Sequence, residues 1–210
     1  MRISRFPDLW RFLLISAVAL ICVAVTASLG FWQLGRAAQK QAVFDAITRQ
    51  QALQPWHNAQ LAAEVALAAN SAGEAQKAHL LHRPVQLQGQ WLAEQTLFLD
   101  NRQMQGRPGF WVLTPLRLPG EQGVVLVQRG WAPRDFQERT RLPDVVTPAG
   151  NVQIHGHVAA AVARLYEFAP AGEGEGASRI RQNLALAAYG AETGLPLLPL
   201  VVVQTGGAHQ

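Results

Sequence analysis

The stretch VVLVQRGWAPRD, Val124 to Asp135, joins an apolar run of β-formers to an arginine, a glycine and a tryptophan. A short run of Val and Leu stopped by Gly and Pro reads as a strand and its termination. The same texture recurs outward from it. Candidate strands span Arg83 to Trp91, Thr96 to Asn101, Trp111 to Leu118, Val124 to Arg129, Val152 to Val158 and Leu200 to Gln204. Between the third and fourth, LPGEQG supplies a hairpin turn, whereas QMQGRPG between the second and third reads as a longer, more mobile loop. APAGEGEGAS, Ala169 to Ser178, reads as a flexible, acidic excursion; Glu173 and Glu175 would repel phosphate, so its glycines are no phosphate loop. LALAAYGAETG predicts a short helix capped by Gly194, and LPLLPLVVVQT returns the chain to the sheet. Its two prolines put that strand at an edge or make its start irregular.

Upstream the texture is different. From Phe12 to Leu34 there are 23 residues without a charge, bracketed by Arg11 and Arg36. As a helix they cover roughly 34 Å, enough for a hydrocarbon layer of about 30 Å. AVTAS, Ala24 to Ser28, offers a cleavage site to the rival reading of a signal peptide, but Leu29, Phe31, Trp32 and Leu34 resume the apolar run, and Trp32 suits an interfacial anchor. An uncleaved anchor is the preferred reading. Lys40 to Ala69, rich in Ala, Gln and Leu, predicts one or two helices breaking near QPWHN, and Asn70 to Glu74 a turn. The expected fold class is membrane-anchored and mostly β (α+β): a transmembrane helix, a short helical stalk, and an antiparallel β domain of about six strands with minor helices. The corresponding segments are a cytoplasmic N-terminus (1–11), the span (12–34), a juxtamembrane helical segment (35–75) and an extracytoplasmic β-rich domain (76–210).

The net charge of +4 resides entirely before Gln41, where Arg2, Arg5, Arg11, Arg36 and Lys40 face only Asp8; beyond it thirteen basic residues balance thirteen acidic ones. This leaves no footprint for nucleic acid. The lone Cys22 lies in the apolar run, so neither a disulfide nor a Cys-based metal or redox site is expected. Ser71 and Ser178, the serines after the span, stand in no G-x-S-x-G or S-x-x-K context. His79 and His82, and His155 and His157, are pairs without a recognisable third ligand, and no metal is assigned to them. With no well-placed carboxylate pair either, the chain is not expected to be an enzyme. Trp91, Trp111 and Trp131 fall near strand ends, where a meander could gather two or three of them. With Arg102 and Arg129 they could stack a flat ligand and pair its carboxylates, since guanidinium binds carboxylate as a planar fork. The alternative is core tryptophan beside solvated or ion-paired arginine.

Four segments in order resemble the Surfeit locus protein 1 family of cytochrome c oxidase assembly factors. LGFWQLGRAAQK carries Trp32, Gln33, Arg36 and Lys40; NRQMQGRPGFWVLTPL carries Asn101, Arg102, Gly106, Gly109, Thr114 and Pro115; the opening stretch carries Arg129, Gly130, Trp131 and Pro133; TGLPLLPLVVVQT is the fourth. The resemblance implies an anchored factor that assists haem a insertion into, or maturation of, subunit I of a haem-copper oxidase. Implied partners are subunit I, haem a synthase and membrane lipid. The location it implies is the inner membrane, with the domain in the periplasm or mitochondrial intermembrane space. Trp32, Gln33, Arg36, Lys40, Arg102, Arg129 and Trp131 are the resulting candidates for haem or partner contact. The alternative is a cofactor-free scaffold that binds an oxidase subunit. The family pattern includes a second membrane helix bearing a haem-associated His, and no further apolar run of that length stands before Gln210. Arg36 and Lys40, at i and i+4, share a helix face suited to lipid phosphate, to haem propionates or to an acidic surface.

Overall fold

The uncharged run Phe12 to Leu34 and the Ala- and Gln-rich stretch after it form one helix, α1 (Phe6–Gln51), of 46 residues. The computed structural model describes residues 6–70, 78–138, 141–159, 162 and 178–207, with side chains from Leu9 onward. The chain divides into two units, Met1–Arg49 and Gln50–Gln210. In the first, α1 is long and apolar enough to cross a membrane, its richest window reaching a mean hydropathy of 2.6 with none of it buried. Thr26, midway along, donates Oγ1–H to the Cys22 carbonyl at 2.9 Å, so the helix itself satisfies it.

The second unit starts with the predicted break: Trp56 forms a bridge to Val85 before α2 (Asn58–Asn70), whose Leu61, Val65 and Ala68 are buried in the main core. Seven strands follow: β1 (Pro84–Trp91), β2 (Leu97–Met104), β3 (Arg107–Arg117), β4 (Val124–Pro133), β5 (Asn151–Ala159), β6 (Ile180–Arg181) and β7 (Leu197–Gly207), with α3 (Leu186–Thr193) before β7. The sheet order is β1-β5-β7-β4-β3-β2-β6, and β1 also pairs with the end of β3. That contact closes β1, β5, β7, β4 and β3 into a barrel, from which β2 and β6 extend. Closure requires close approach at Gly89, where a Cβ would lie 2.3 Å from the Arg117 carbonyl oxygen. Alternate residues of β1 (Val85, Leu87, Trp91) meet Leu116, Val125, Val127, Ile154, Val158 and Val202 in the main core. A second cluster, under Tyr189 of α3, covers Leu97, Leu99, Leu113 and Leu126; a third holds Phe98, Phe110 and Val112.

The expected six strands are present, the sheet is mostly antiparallel, and α3 ends at Gly194 with φ 65°, as a left-handed C-cap. One expectation is corrected, and of the two alternatives for the last strand the irregular start is the one observed. The supposed mobile loop QMQGRPG is a two-residue hairpin: β2 and β3 pair as far as Met104 and Arg107, and Gln105 and Gly106 both take positive φ, 51° and 76°. The last strand is not an edge, since β7 lies between β5 and β4; its start is irregular, with a register shift after Val124 pairs with Leu197. β6, only two residues long, gave no sequence signal. Of Asn70 to Glu74 and Ala169 to Ser178, only Asn70 and Ser178 belong to the described residues.

Candidate functional site

Of the positions that carried the family resemblance in the β unit, Asn101 with Arg102 and Arg129 with Gly130 fall on two irregularities on either side of β3. In β2, Leu99 opposes Trp111 but Arg102 opposes Gly109, so Asp100 and Asn101 share one partner and Asn101 bulges out at φ 58°. In β4, Val112 faces Gly130 and Leu113 faces Gln128, leaving Arg129 as the extra residue; Gly130 follows at φ 155°, which a side chain would resist. Bulges re-aim side chains, and here they re-aim Arg102 and Arg129.

Arg102 is turned inward and is 4 % exposed. Its guanidinium lies over Trp111 at 4.7 Å and donates from Nη2 to the Gln182 carbonyl at 3.0 Å, while Nε is buried without a partner. Burial pushes its pKa down from the usual value for arginine, though it remains a cation. Trp131 pairs with Trp111 across β3 and β4, and its Nε1–H crosses β3 to donate to the Arg102 carbonyl oxygen at 2.8 Å. The indole passes where a side chain at Gly109 would be: a Cβ there would meet Trp131 at 2.4 Å. Trp131 therefore ties β4 to β2 over a glycine of β3. Thr114 and Pro115 are equally architectural. Thr114 shares a buried hydroxyl contact of 3.0 Å with Thr96, and the Pro115 carbonyl accepts from the Leu92 amide at 2.9 Å.

Arg129 is half-buried over Trp91 at 4.7 Å, on the main-core side, and burial lowers its pKa as well. It donates to Thr147 Oγ1 at 2.8 Å and to the Val146 carbonyl at 2.7 Å. The irregular segment 141–150 is thereby strapped to the sheet, and its Leu142 and Val145 pack on the Phe98–Phe110 cluster. Two further arginines, unmarked in the sequence, extend this face. Arg134 lies over Phe110 and ion-pairs with Asp100, and Arg179 lies over Phe98 at 5.7 Å. Arg179, Glu94, Thr96, Asp144 and Thr147 line a polar cleft of about 360 Å³. Arg179 follows the Gly-rich segment and had no pattern by which to be found.

The expected aromatic gathering is thus split: Trp111, Trp131 and Arg102 come together, while Trp91 and Arg129 belong to the opposite, main-core side. Trp32, Gln33, Arg36 and Lys40 all stand exposed on α1, Arg36 over the Trp32 ring at 5.9 Å. An apolar groove of about 400 Å³ runs between α2 and the Leu80–Leu81, Val158 and Pro199–Leu200 backbone. A neighbouring hollow is lined by Leu186, Gly190 and Leu197. None of Arg102, Arg129 and Trp131 lines the polar cleft, the apolar groove or this hollow. In the β unit these three candidates therefore do not gather at any of these cavities. The two candidate guanidiniums lie on different faces, each already spread on an indole and engaged with backbone carbonyls. The α1 set offers an exposed indole and two cations on one face, a donor set that suits carboxylates or phosphates.

Comparison with known proteins matches residues 20–210 to the family model described as SURF1 family. A SURF1-like protein of Rickettsia prowazekii (strain Madrid E) is 28 % identical over 143 residues, which is 67 % of this chain and 50 % of the relative. A SURF1-like protein of Rickettsia felis (strain ATCC VR-1525 / URRWXCal2) is 29 % identical over 140 residues, 66 % of this chain and 52 % of the relative. The chain spans about half the length of the curated relatives it matches.

Proposed function

The chain belongs to the SURF1 family, and from that premise we propose that it assists the assembly of haem-copper cytochrome c oxidase, acting on subunit I. In this reading residues 12–34 of α1 cross the inner membrane, and the β unit lies in the periplasm or in the intermembrane space of a mitochondrion. Haem a synthase and membrane lipid are its neighbours there. Family membership carries the proposal. The α1 stretch supports a contact with haem a through carboxylate pairing at Arg36 and Lys40, beside Trp32 and Gln33. Haem a itself would supply the redox centre of the client enzyme; this chain's part is to orient it at the membrane surface.

Cells lacking the protein should accumulate oxidase subunit I poor in haem a while other membrane complexes stay normal. A fully active oxidase in those cells refutes the proposal. One observation favours a second reading, the cofactor-free scaffold: Arg102, Arg129 and Trp131 are consumed in holding β2, β3, β4 and the 141–150 strap together. On that reading the β unit presents a rigid surface to subunit I. Absorption spectra of the full chain, purified in detergent from cells making haem a, separate the two. A haem band lost on replacing Arg36 and Lys40 supports haem handling, and its absence from the unaltered protein supports the scaffold.

A further inference from the structure

The side of α1 that carries Arg36 and Lys40 does not end with them. In steps of three and four residues it continues from Trp32 through Arg36 and Lys40 to Val43 and Phe44. All five are exposed, Val43 at 59 % and Phe44 at 64 %. Lipid accounts for the first part of this stripe. A headgroup layer is about 5–8 Å deep on each side of the hydrocarbon, and Arg36 and Lys40 follow Leu34 by about 3 and 9 Å of helix rise. Val43 and Phe44 follow it by about 13–15 Å, of which an average tilt of about 20° removes only about 1 Å. With residues 12–34 across the membrane, they stand beyond the lipid, a valine and a phenylalanine in line with two cations. Asp45, the one acid between Leu34 and Gln51, is on the far side of the helix, where it accepts from Gln41 Nε2 at 3.2 Å. Among the described residues neither Arg36 nor Lys40 has a carboxylate partner.

We propose that this side of α1, Arg36 and Lys40 with Val43 and Phe44, is a docking face for a transmembrane helix of another membrane protein, one that continues about three turns past the bilayer. The partner helix carries an acidic residue beside Lys40 and apolar residues against Val43 and Phe44. Charge and orientation decide this occupant. A second copy enters the membrane with the same orientation, so identical faces meet only in parallel, with Arg36 and Lys40 against their own counterparts and no acid to separate them. Like charges so opposed repel, and a copy does not fit. A helix leaving the bilayer beside α1 meets the four side chains in one line and supplies what the stripe lacks, a carboxylate at the depth of Lys40 and cover for the two apolar side chains. The inference deepens the assembly reading, on which the partner is an oxidase subunit, and rests on it for that identity alone.

The test places photoreactive benzoylphenylalanine singly at Val43, Phe44, Ala38 and Ala42 of the full chain in native membranes, the last two on the opposite side of α1. Irradiation should join Val43 and Phe44 positions to a second membrane protein, with the attachment mapped by mass spectrometry to residues that follow one of its transmembrane helices. The Ala38 and Ala42 positions should give at least about fivefold less product. Lys40→Glu should lower the product at Phe44 at least about fivefold, because a like charge then faces the partner's acid, and alkali-resistant membrane association confirms that the variant is inserted. Attachment to lipid, to a second copy or to another part of the same chain overturns the docking face. Equal yields from both sides of α1, no product, or indifference to Lys40→Glu do the same. A partner that is a membrane protein but no oxidase subunit sustains the face and counts against the assembly reading. No product, beside a haem-poor oxidase in cells lacking the protein, does the reverse, so the two proposals fail separately.

Discussion

Replacing Gly109 by Ala asks whether the indole strap across β3 holds the sheet together. The added methyl would lie 2.4 Å from both Trp131 Cζ2 and the Ala132 carbonyl oxygen, and 2.5 Å from Trp131 Cε2. Neither neighbour is the free end of a flexible chain, so the indole must lift or the β3–β4 ladder must part. Overpacking of this kind costs about 1–3 kcal/mol. Lifting the indole also breaks the Nε1–H bond to Arg102, for about 0.5–1.5 kcal/mol more. A total near 2–4 kcal/mol lowers the melting temperature by roughly 5–15 °C for a unit of this size. Urea and thermal melts followed by far-ultraviolet circular dichroism, on the full chain in detergent, read it directly. Trp131→Ala in the same molecule should give back about 1–2 kcal/mol relative to the sum of the single changes, because the methyl then has the indole's space and only the backbone contact remains. Additive costs within about 0.5 kcal/mol, or a Gly109→Ala protein as stable as the parent, would show that Trp131 does not press on β3 and would return it to the pool of contact residues.

Four other outcomes follow from three side chains. Tyr189 donates to the Gln95 carbonyl at 2.6 Å and is 1 % exposed; Tyr189→Phe should cost about 1–2 kcal/mol in a urea melt, and an unchanged midpoint would contradict the bond. Burial pushes the same hydroxyl up to about 12, above its unfolded value of 10.0. Its stabilisation is therefore complete below pH 10 and lost as pH rises towards 12, a slope that Phe should remove. Arg129→Lys cannot reproduce the two-pronged grip on Val146 and Thr147; limited proteolysis after small apolar residues should cut within 141–150 several-fold faster, and an unchanged rate would dissolve the strap. The folded pKa of His157 lies below its unfolded 6.5, so its contribution is present above pH 6.5 and is lost as pH falls through the folded value. The urea midpoint of His157→Gln should vary less between pH 7.5 and 5.5 than that of the parent; parallel curves would refute the burial of that ring.

Local texture made most of the architecture readable. Val124 to Val127 are buried in a central strand, and the Gln51 to Trp56 break fell where QPWHN suggested. The hairpin at Gln105 was missed because nothing in a glutamine announces a positive φ; the register across Met104 and Arg107 imposes it. The interior place of β7 was equally hidden, since its prolines argue for an edge and only the parallel pairing with β4 overrides them. At the candidate site, sequence singled out residues by pattern and gave no sign of how the fold divides them between faces. Asn101, Gly106, Gly109 and Thr114 are a bulge, a turn, a gap for an indole and a buried hydroxyl. A recognisable motif therefore recorded how strands are joined more than what they hold. The His82 and His157 rings, 75 residues apart in the chain, face each other only once β1 and β5 pair.

The position of β7 also dictates an order of events during synthesis. Its residues, Leu197–Gly207, emerge after every other described strand, yet they are inserted between β4 and β5. Until they arrive, a nascent chain has two unsatisfied ladders facing each other across a gap, open to pairing with another copy. Completion is thus withheld until the final segment slots in, and a polypeptide interrupted before it would be an adhesive half-cylinder instead of a shortened but serviceable one.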